Sequence, residues 1–372
     1  MLADSDPVRL ALSAAGVDLR ARACAPSAKV RVGLLLNPKA RRLRRTSDRA
    51  NLAHLLGDRD AWVETPDLAS LRRALAFLLC VRGANVLAVA GGDGTVHHVV
   101  NVLIGLSREA EDATGVRPPL PRLLILNGGT LNIVGRTVAI HGTPHATLRR
   151  FLRYFDGAPL SRVPARRLPL LDVRWGQGPE TGIRAAQPPR LGFVFGSEAP
   201  FHALELYARF GAGYVGLSRF LAEFARGVVF GSDLWRQERW KLGPYEHRLA
   251  IDDLEIHRYT GVVASTVDLT LAIGAARTIR RALHQPGFAV RVVEESDPLR
   301  LVRLLPTLMS ERPGPGVRDV AEAHRLELFG PYTLDGECFS EPALSSERLP
   351  LTVVASPERL HAVPGELGAE EW

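Results

Sequence analysis

Apolar positions follow two different rhythms along the chain, and the change falls near Gly157. Before it, short continuous apolar runs alternate with longer segments whose apolar residues recur every three or four positions. The run from Val30 to Leu36 in "KVRVGLLLNPKA" predicts a buried strand, stopped at Asn37 by Pro38. "DLASLRRALAFLLCVRGA" sets Leu68, Leu71, Ala74, Leu75, Leu78 and Leu79 at helical spacing. "NVLAVA" predicts a second strand and "TVHHVVNVLIGL" a helix. Leu123 to Leu126 predict a third strand, leading through "NGGTLN" into another helix. Strand and helix in alternation imply an open, mostly parallel α/β sheet, with both glycine turns at carboxyl ends of strands, where such sheets bind ligands.

After Gly157 the runs are short and β-like: "LPLLDVRW", "RLGFVFG", "HRLAIDDLEIHRYTGVVAST", "DLTLAIG", "FAVRVVE", "AHRLELFGPYTLDGECF" and "LPLTVVA". Gly and Pro turns separate them, which predicts a mostly β second domain. A helical insertion, "FHALELYARFGAGYVGLSRFLAEFARGVVFG", interrupts it, with Tyr207, Phe210, Tyr214, Leu217, Leu221, Phe224 and Val228 on one stripe. "DPLRLVRLLPTLMS" predicts a further helix before the loop at 312–316. Residues 1–28 read as an arm or short helix, and the final residues as frayed.

Composition narrows the classes. Hydrophobic content of 46% and charged content of 23% over 372 residues are those of a soluble globular protein of two domains. No apolar run approaches the roughly 18 residues of a membrane span, and the early acidic residues do not suit a secretion signal. Cys24, Cys80 and Cys338 fit no metal spacing, so a cytoplasmic location is expected. The net charge of +7 is carried almost wholly by arginine and suits anionic membranes or phosphorylated ligands. No motif points to nucleic acid.

Gly91-Gly92-Asp93-Gly94-Thr95 has the chemistry of a phosphate cradle: glycines expose backbone N–H groups, the following helix adds its positive end, and Thr95 can donate to an oxygen or cap. Asp93 suits a Mg²⁺-bound water or an attacking hydroxyl; a plain helix cap is the competing explanation. Asn127-Gly128-Gly129-Thr130-Leu131-Asn132 repeats that chemistry, and Asn37 would complete the rim. "LDGE", Leu334 to Glu337, on its own reads as a type I′ hairpin turn.

Together, the order Asn37-Pro38, GGDGT at 91–95, GGTxN at 128–132 and DGE at 335–337 resembles the diacylglycerol kinase catalytic-domain family, more narrowly its bacterial soluble members related to sphingosine and ceramide kinases. GGDGT alone also fits NAD kinases and phosphofructokinases; the DGE separates the lipid-kinase branch. The resemblance, from about Val30 to about Ala355, implies an α/β ATP-binding domain at 29–157 of NAD-kinase and phosphofructokinase type. It implies a β-sandwich-like lipid domain at 158–340, a cleft between the two, and a return segment, 341–372, packing on the first domain. It also implies ATP as cosubstrate, Mg²⁺ as metal, and a peripheral membrane surface as the place of work. By resemblance Asn37, Gly91, Gly92, Gly94, Thr95, Gly129, Thr130, Asn132 and Glu337 serve the nucleotide, with Glu337 at nucleotide or metal. Asp335 is the base on a lipid hydroxyl, and Asp93 competes for that role. Metal ligands are not assigned.

The sequence departs from the family pattern at Ala40-Arg41, at Ile133 and at His98, where the family usually has Glu. His98 is expected to pack under the loop and His97 to face solvent. Arg41, Arg42, Arg44 and Arg45 suit either a solvated loop or contacts with phosphates or membrane. Cys338 is expected to be packed. The aromatic stripe is a packed helix face or, in a lipid kinase, an acyl-chain or membrane contact. A small-molecule kinase such as an NAD kinase, and a catalytically impaired lipid or nucleotide sensor, are the alternatives.

Overall fold

The computed structural model describes residues 6–57, 60–129, 131–176, 189–211, 213–269, 279, 283–295, 297, 300–301, 311, 314–340 and 350–366. Contacts divide the chain into two units, residues 1–168 with 358–372, and residues 169–357.

The first unit opens with α1 (Pro7–Ala11) and α2 (Ala14–Ala23), so the expected arm is helical. Arg20 fixes it: the guanidinium, 3% exposed, donates to the carbonyls of Leu79 and Ala84. The alternation then follows as β1 (Val32–Leu36), α3 (Thr46–Ala53), β2 (Ala61–Glu64), α4 (Leu68–Ala76), β3 (Val86–Gly91), α5 (Asp93–Thr114) and β4 (Arg122–Asn127). Next come α6 (Ile133–Thr137), α7 (Pro144–Phe155) and β5 (Arg166–Leu168). The helical run expected to continue past α4 changes pitch, and Phe77–Val81 form a π-helical turn.

β1 pairs in parallel with β2 and with β3, and β3 with β4. The strand order β2-β1-β3-β4 reverses direction at β1, so the switch point lies between β1 and β3, where sheets of this kind open a ligand crevice. Strands buried on both faces read as continuous apolar runs, and β1 and β3 are buried throughout. The core joins Leu34, Leu36, Val86, Ala88, Leu124 and Leu126 to Leu148 and Phe151 of α7.

The second unit is built from β6 (Leu171–Trp175), β7 (Arg190–Gly192), β8 (Val194–Glu198), α8 (Ala199–Ala208), α9 (Gly213–Phe230) and α10 (Asp233–Glu238). It continues with β9 (Leu249–Ile251), β10 (Leu254–Ile256), β11 (Gly261–Ser265), β12 (Phe288–Val293), β13 (Val317–Ala323) and β14 (Arg325–Leu328). β15 (Tyr332–Leu334), β16 (Glu337–Phe339) and β17 (Leu351–Ala355) complete it. Two antiparallel sheets, ordered β10-β9-β14-β17-β6-β7 and β13-β12-β11-β8-β15-β16, share one core. Leu171, Val173, Leu326 and Val353 come to it from the first sheet, and Phe195, Val262, Val290 and Tyr332 from the second. The expected mostly β domain is thus a sandwich, and the helical insertion is α8 to α10. "DLTLAIG" after Leu269 and most of the helix expected at 297–310 lie outside the described residues.

The chain re-enters the first unit as β18 (Leu360–Ala362), which pairs in parallel with β4 and antiparallel with β5. The two contact units meet at 168/169 and 357/358, beside the domain bounds of 157/158 and 340/341 expected from the sequence. β5 belongs to the first sheet because its partner is β18, and β17 to the sandwich because it pairs with β6 and β14. Glu358, 6% exposed, anchors the re-entry through Arg108 and Arg117. Burial pushes its carboxyl up, but the two guanidinium groups outweigh this and hold it below the usual carboxylate range.

Candidate active site

β3 ends at Gly91 and α5 begins at Asp93, so one residue, Gly92, makes the connection. Asp93, Gly94 and Thr95 form the first helical turn, and the phosphate loop expected over five residues is tighter than the sequence implied. Gly91, Gly92, Gly128 and Gly129 all lie outside the left-handed region. They are needed for close approach. The Gly128 N–H donates to the Gly91 carbonyl at 2.8 Å. A Cβ on Gly129 would stand 2.6 Å from the Gly92 Cα, and one on Gly91 2.4 Å from the Thr95 Oγ1. The two turns expected to share one ligand thus touch backbone to backbone.

Side chains lock this arrangement. Asn37 Nδ2 donates to Thr95 Oγ1 at 2.8 Å, and its Oδ1 accepts from the Lys39 N–H at 2.9 Å, tying β1 to α5 across the switch point. Asp93 Oδ1 accepts from the Val134 N–H at 3.2 Å, so Asp93 caps α6 and not its own helix. Asn132, at φ 50° and ψ 50°, accepts through Oδ1 from the Gly129 N–H at 2.9 Å and donates from Nδ2 to the Gly129 carbonyl at 3.1 Å. Thr130 lies outside the described residues. Arg42 donates from its backbone to the Gly128 carbonyl at 3.1 Å and from Nη1 to the Asn127 and Gly142 carbonyls at 3.3 and 3.0 Å. It clamps the second turn, whereas Arg41, Arg44 and Arg45 are exposed and make no side-chain ion pair among the described residues.

Two expectations about the helix are corrected. His97 is 3% exposed and not solvent-facing, while His98 is only half-buried. α5 packs on β3 and also on α4, so its buried stripe is wide enough to include His97 with Val96, Val100 and Ile104.

Two backbones in contact at a helix start, edged by Thr95, Asn37 and Asn132, offer N–H and side-chain donors to phosphate oxygens, so the residues fit ATP. For Mg²⁺, no group of three or more His, Cys, Asp or Glu side chains among the described residues is arranged to hold a cation. That donor set suits a Mg²⁺ held chiefly by phosphates and water, with Asp93 the carboxylate at the turns.

In the second unit, Asp335 and Gly336 form the two-residue loop between β15 and β16, with φ of 54° and 90°. The hairpin reading of "LDGE" therefore holds. The turn also does more. Asp335 is 8% exposed, and its Oδ1 accepts from the N–H groups of Phe193 and Val194, both at 2.9 Å. The Arg190 guanidinium lies over Phe339 at 4.2 Å, and Tyr332 stacks on Phe195, which steadies the hairpin. Glu337 is half-buried at the start of β16. Cys338 is exposed, contrary to the packing expected, because strand alternation turns it outward between Glu337 and Phe339. Partial burial of the sulfur, and then the nearby Glu205 and Glu337, push its thiol up. A cavity of about 670 Å³ beside the hairpin is lined by Tyr207, Arg209, Lys241, Gly336 and Cys338, among others. From the expected aromatic stripe, Phe210 and Phe224 pack on Phe220, and Phe224 on Trp235; the side chains of Tyr214, Leu217, Leu221 and Val228 lie outside the described set.

Sequence reasoning missed a buried polar cluster at the start of α8. Glu198, 2% exposed at φ 63° and ψ −118°, bonds His247 Nε2 at 2.9 Å. Burial, reinforced by Glu198, pushes the phenols of Tyr245 and Tyr259 well above the ordinary range. Glu198 and His247 are far apart in the chain, so no local motif could signal the pair.

The diacylglycerol kinase catalytic domain model matches residues 31–155, the segment that holds both glycine turns. No curated protein matches the sequence. Solved structures from Bacillus anthracis str. Sterne, assigned as diacylglycerol kinases, are similar in fold. One is 15% identical with a TM-score of 0.57, over 90% of this chain and 97% of its own. Another is 12% identical with a TM-score of 0.53, over 91% and 98%. These likenesses show the shared fold, and residues 31–155, a third of the chain, match the diacylglycerol kinase catalytic-domain family.

Proposed function

We propose that the protein is an ATP-dependent lipid kinase that transfers the γ-phosphate to a lipid hydroxyl of diacylglycerol, ceramide or sphingoid-base type. The observation that carries this reading is the backbone contact between the β3–α5 and β4–α6 turns at the sheet's switch point, inside the family-matched segment. Gly91, Gly92, Gly94 and Thr95, with Gly129, Thr130 and Asn132, bind the triphosphate, and Asn37 holds Thr95 in place. Glu337 assists at the nucleotide. Mg²⁺, when bound with ATP, supplies charge neutralisation at the phosphates.

Asp335 accepts the proton of the lipid hydroxyl. Its Oδ1 is oriented by two N–H groups of the neighbouring strand backbone. Such anchoring fixes a base before substrate arrives. The cavity beside Gly336 and Cys338 receives the acceptor's head group, and the aromatic contacts of α9 with Trp235 its acyl part. The protein works at a membrane surface; no helix among the described residues is long and apolar enough to cross one.

The test is incubation with labelled ATP and a panel of diacylglycerol, ceramide, sphingoid base, phosphatidylglycerol and NAD. Label in an organic-phase lipid supports the kinase. ATP binding without transfer to any acceptor would sink the proposal and favour a sensor. Asp335→Asn keeps an acceptor oxygen for both N–H groups, so it folds and binds ATP but loses at least about a hundredfold in transfer. Near-normal turnover in that variant, with loss in Asp93→Asn, would move the base to Asp93.

A further inference from the structure

β18 carries His361, and Arg359 directly precedes the strand; both are exposed while Leu360 and Ala362 between and after them are buried. Alternation therefore sets Arg359 and His361 on one face of the sheet. The register pairs His361 with Arg167 of β5. On the other side Ala362 pairs in parallel with Leu123 of β4, so Arg122 stands beside His361. Three neighbouring strands thus present Arg122, His361 and Arg167 in a row, about 4.8 Å apart from strand to strand, and Arg359 adds a further cation at the residue leading into β18.

Like charges directly opposite in a sheet oppose its pairing. Among the described residues no carboxylate pairs with Arg167, Arg359 or His361. Arg167, Arg359 and His361 make no side-chain hydrogen bond or ion pair with a described residue. The nearby carboxylates are engaged elsewhere, Glu358 with Arg108 and Arg117, and Glu366 with Arg166. Arg122 donates to the carbonyls of Leu160 and Val163, which fixes its charge in place. Partial burial and then three cations, Arg122, Arg167 and Arg359, push the His361 imidazole below its ordinary range.

The row lies away from the glycine turns. Arg122 begins β4 and Asn127 ends it, roughly 17 Å apart along the strand. Side chains on successive strands of one sheet face stand side by side and do not converge on a point. Such an array matches a plane of many phosphates better than one phosphate, which needs converging donors.

We propose that Arg167, Arg359 and His361, backed by Arg122, form a docking face for an anionic phospholipid bilayer. This names a surface for the membrane partner of the lipid-kinase reading and rests on that reading, but its test uses neither ATP nor turnover. The full chain is sedimented with phosphatidylglycerol/phosphatidylcholine vesicles and with phosphatidylcholine alone. Binding to the anionic vesicles only is expected. Each basic side chain near such a surface strengthens binding about fivefold at low salt, so Arg167→Gln/Arg359→Gln lowers the partition coefficient about twentyfold. Arg167→Lys/Arg359→Lys, which keeps both charges, restores it.

His361 supplies a second readout. An anionic surface favours its protonated form, so wild-type binding strengthens as pH falls below the ordinary imidazole range, and His361→Gln loses that part of the pH dependence. The proposal is overturned if the glutamine double variant binds as wild type while Arg41→Gln/Arg44→Gln/Arg45→Gln abolishes binding. It is also overturned if inorganic phosphate at constant ionic strength displaces the protein from vesicles, which would make the face a phosphate site. Failure of lipid phosphorylation with intact vesicle binding would remove the kinase reading and leave the docking face standing.

Discussion

Gly129→Ala tests the geometry on which the proposed phosphate site depends. The added methyl would lie 2.6 Å from the Gly92 Cα and 3.1 Å from the Asn132 Oδ1. The first neighbour is backbone, so no side chain can swing aside. Relief requires the turns to separate by most of an ångström, which lengthens the 2.8 Å bond from the Gly128 N–H to the Gly91 carbonyl and loosens the Asn132–Gly129 pair. Overpacking costs about 1–3 kcal/mol, and a lost hydrogen bond about 1 kcal/mol more. A total near 3 kcal/mol lowers the Tm of the first unit by roughly 6–12 °C. ATP affinity falls at least about tenfold if the turns hold the triphosphate. Gly105→Ala is the control. It adds a methyl with no heavy atom within 4 Å in the middle of α5, and helix propensity predicts about 0.5–1 kcal/mol of stabilisation. Calorimetric unfolding and equilibrium dialysis with ATP measure both. A Gly129→Ala protein that melts within 1 °C or so of wild type and binds ATP normally would refute the argument that the backbone contact shapes the site.

Two further outcomes follow from the same contacts. Thr95→Val removes the acceptor of the Asn37 amide, which costs about 1 kcal/mol of stability and weakens ATP binding more than it weakens lipid binding, read by titration of each ligand. Glu358→Gln addresses acid stability. The folded carboxyl titrates below the unfolded one, so its contribution is present above the ordinary carboxylate range and is lost as pH falls through the lower folded value. Wild type therefore loses stability between those limits, and the variant, less stable at neutral pH, shows a shallower acid slope in urea titrations at pH 3 to 7.

The α/β alternation was legible because strands buried on both faces are continuous apolar runs, and the sheet needs β1, β3 and β4 buried on both sides. The sandwich was legible from short β-like runs between Gly and Pro turns. What stayed hidden depends on contacts between distant residues. β18 is three residues long and carries no strand signal; it exists because β4 and β5 flank it. The change to π-helical pitch at Phe77–Val81 breaks no apolar pattern, so spacing alone read it as ordinary helix. His97 was placed in solvent because a histidine between apolar residues looks like the polar face, whereas α5 has packing partners on two sides.

The two aspartates show most directly what spacing could not provide. The motifs alone read Asp93 as a carboxylate for metal, hydroxyl or its own helix end, and Asp335 as a hairpin-turn residue. Each instead has Oδ1 engaged by backbone N–H of the element beside it: Asp93 by Val134, and Asp335 by Phe193 and Val194. A helix cap and a hairpin turn are therefore not rivals to a chemical role. A carboxylate with one oxygen fixed by backbone donors has a fixed orientation for whatever meets the group, which is the preorganisation that phosphoryl transfer needs. The same anchoring explains why these positions carry aspartate. Its single methylene brings Oδ1 to the neighbouring backbone; glutamate would displace the carboxyl by more than an ångström, enough to cost about a hundredfold in a positioned reaction.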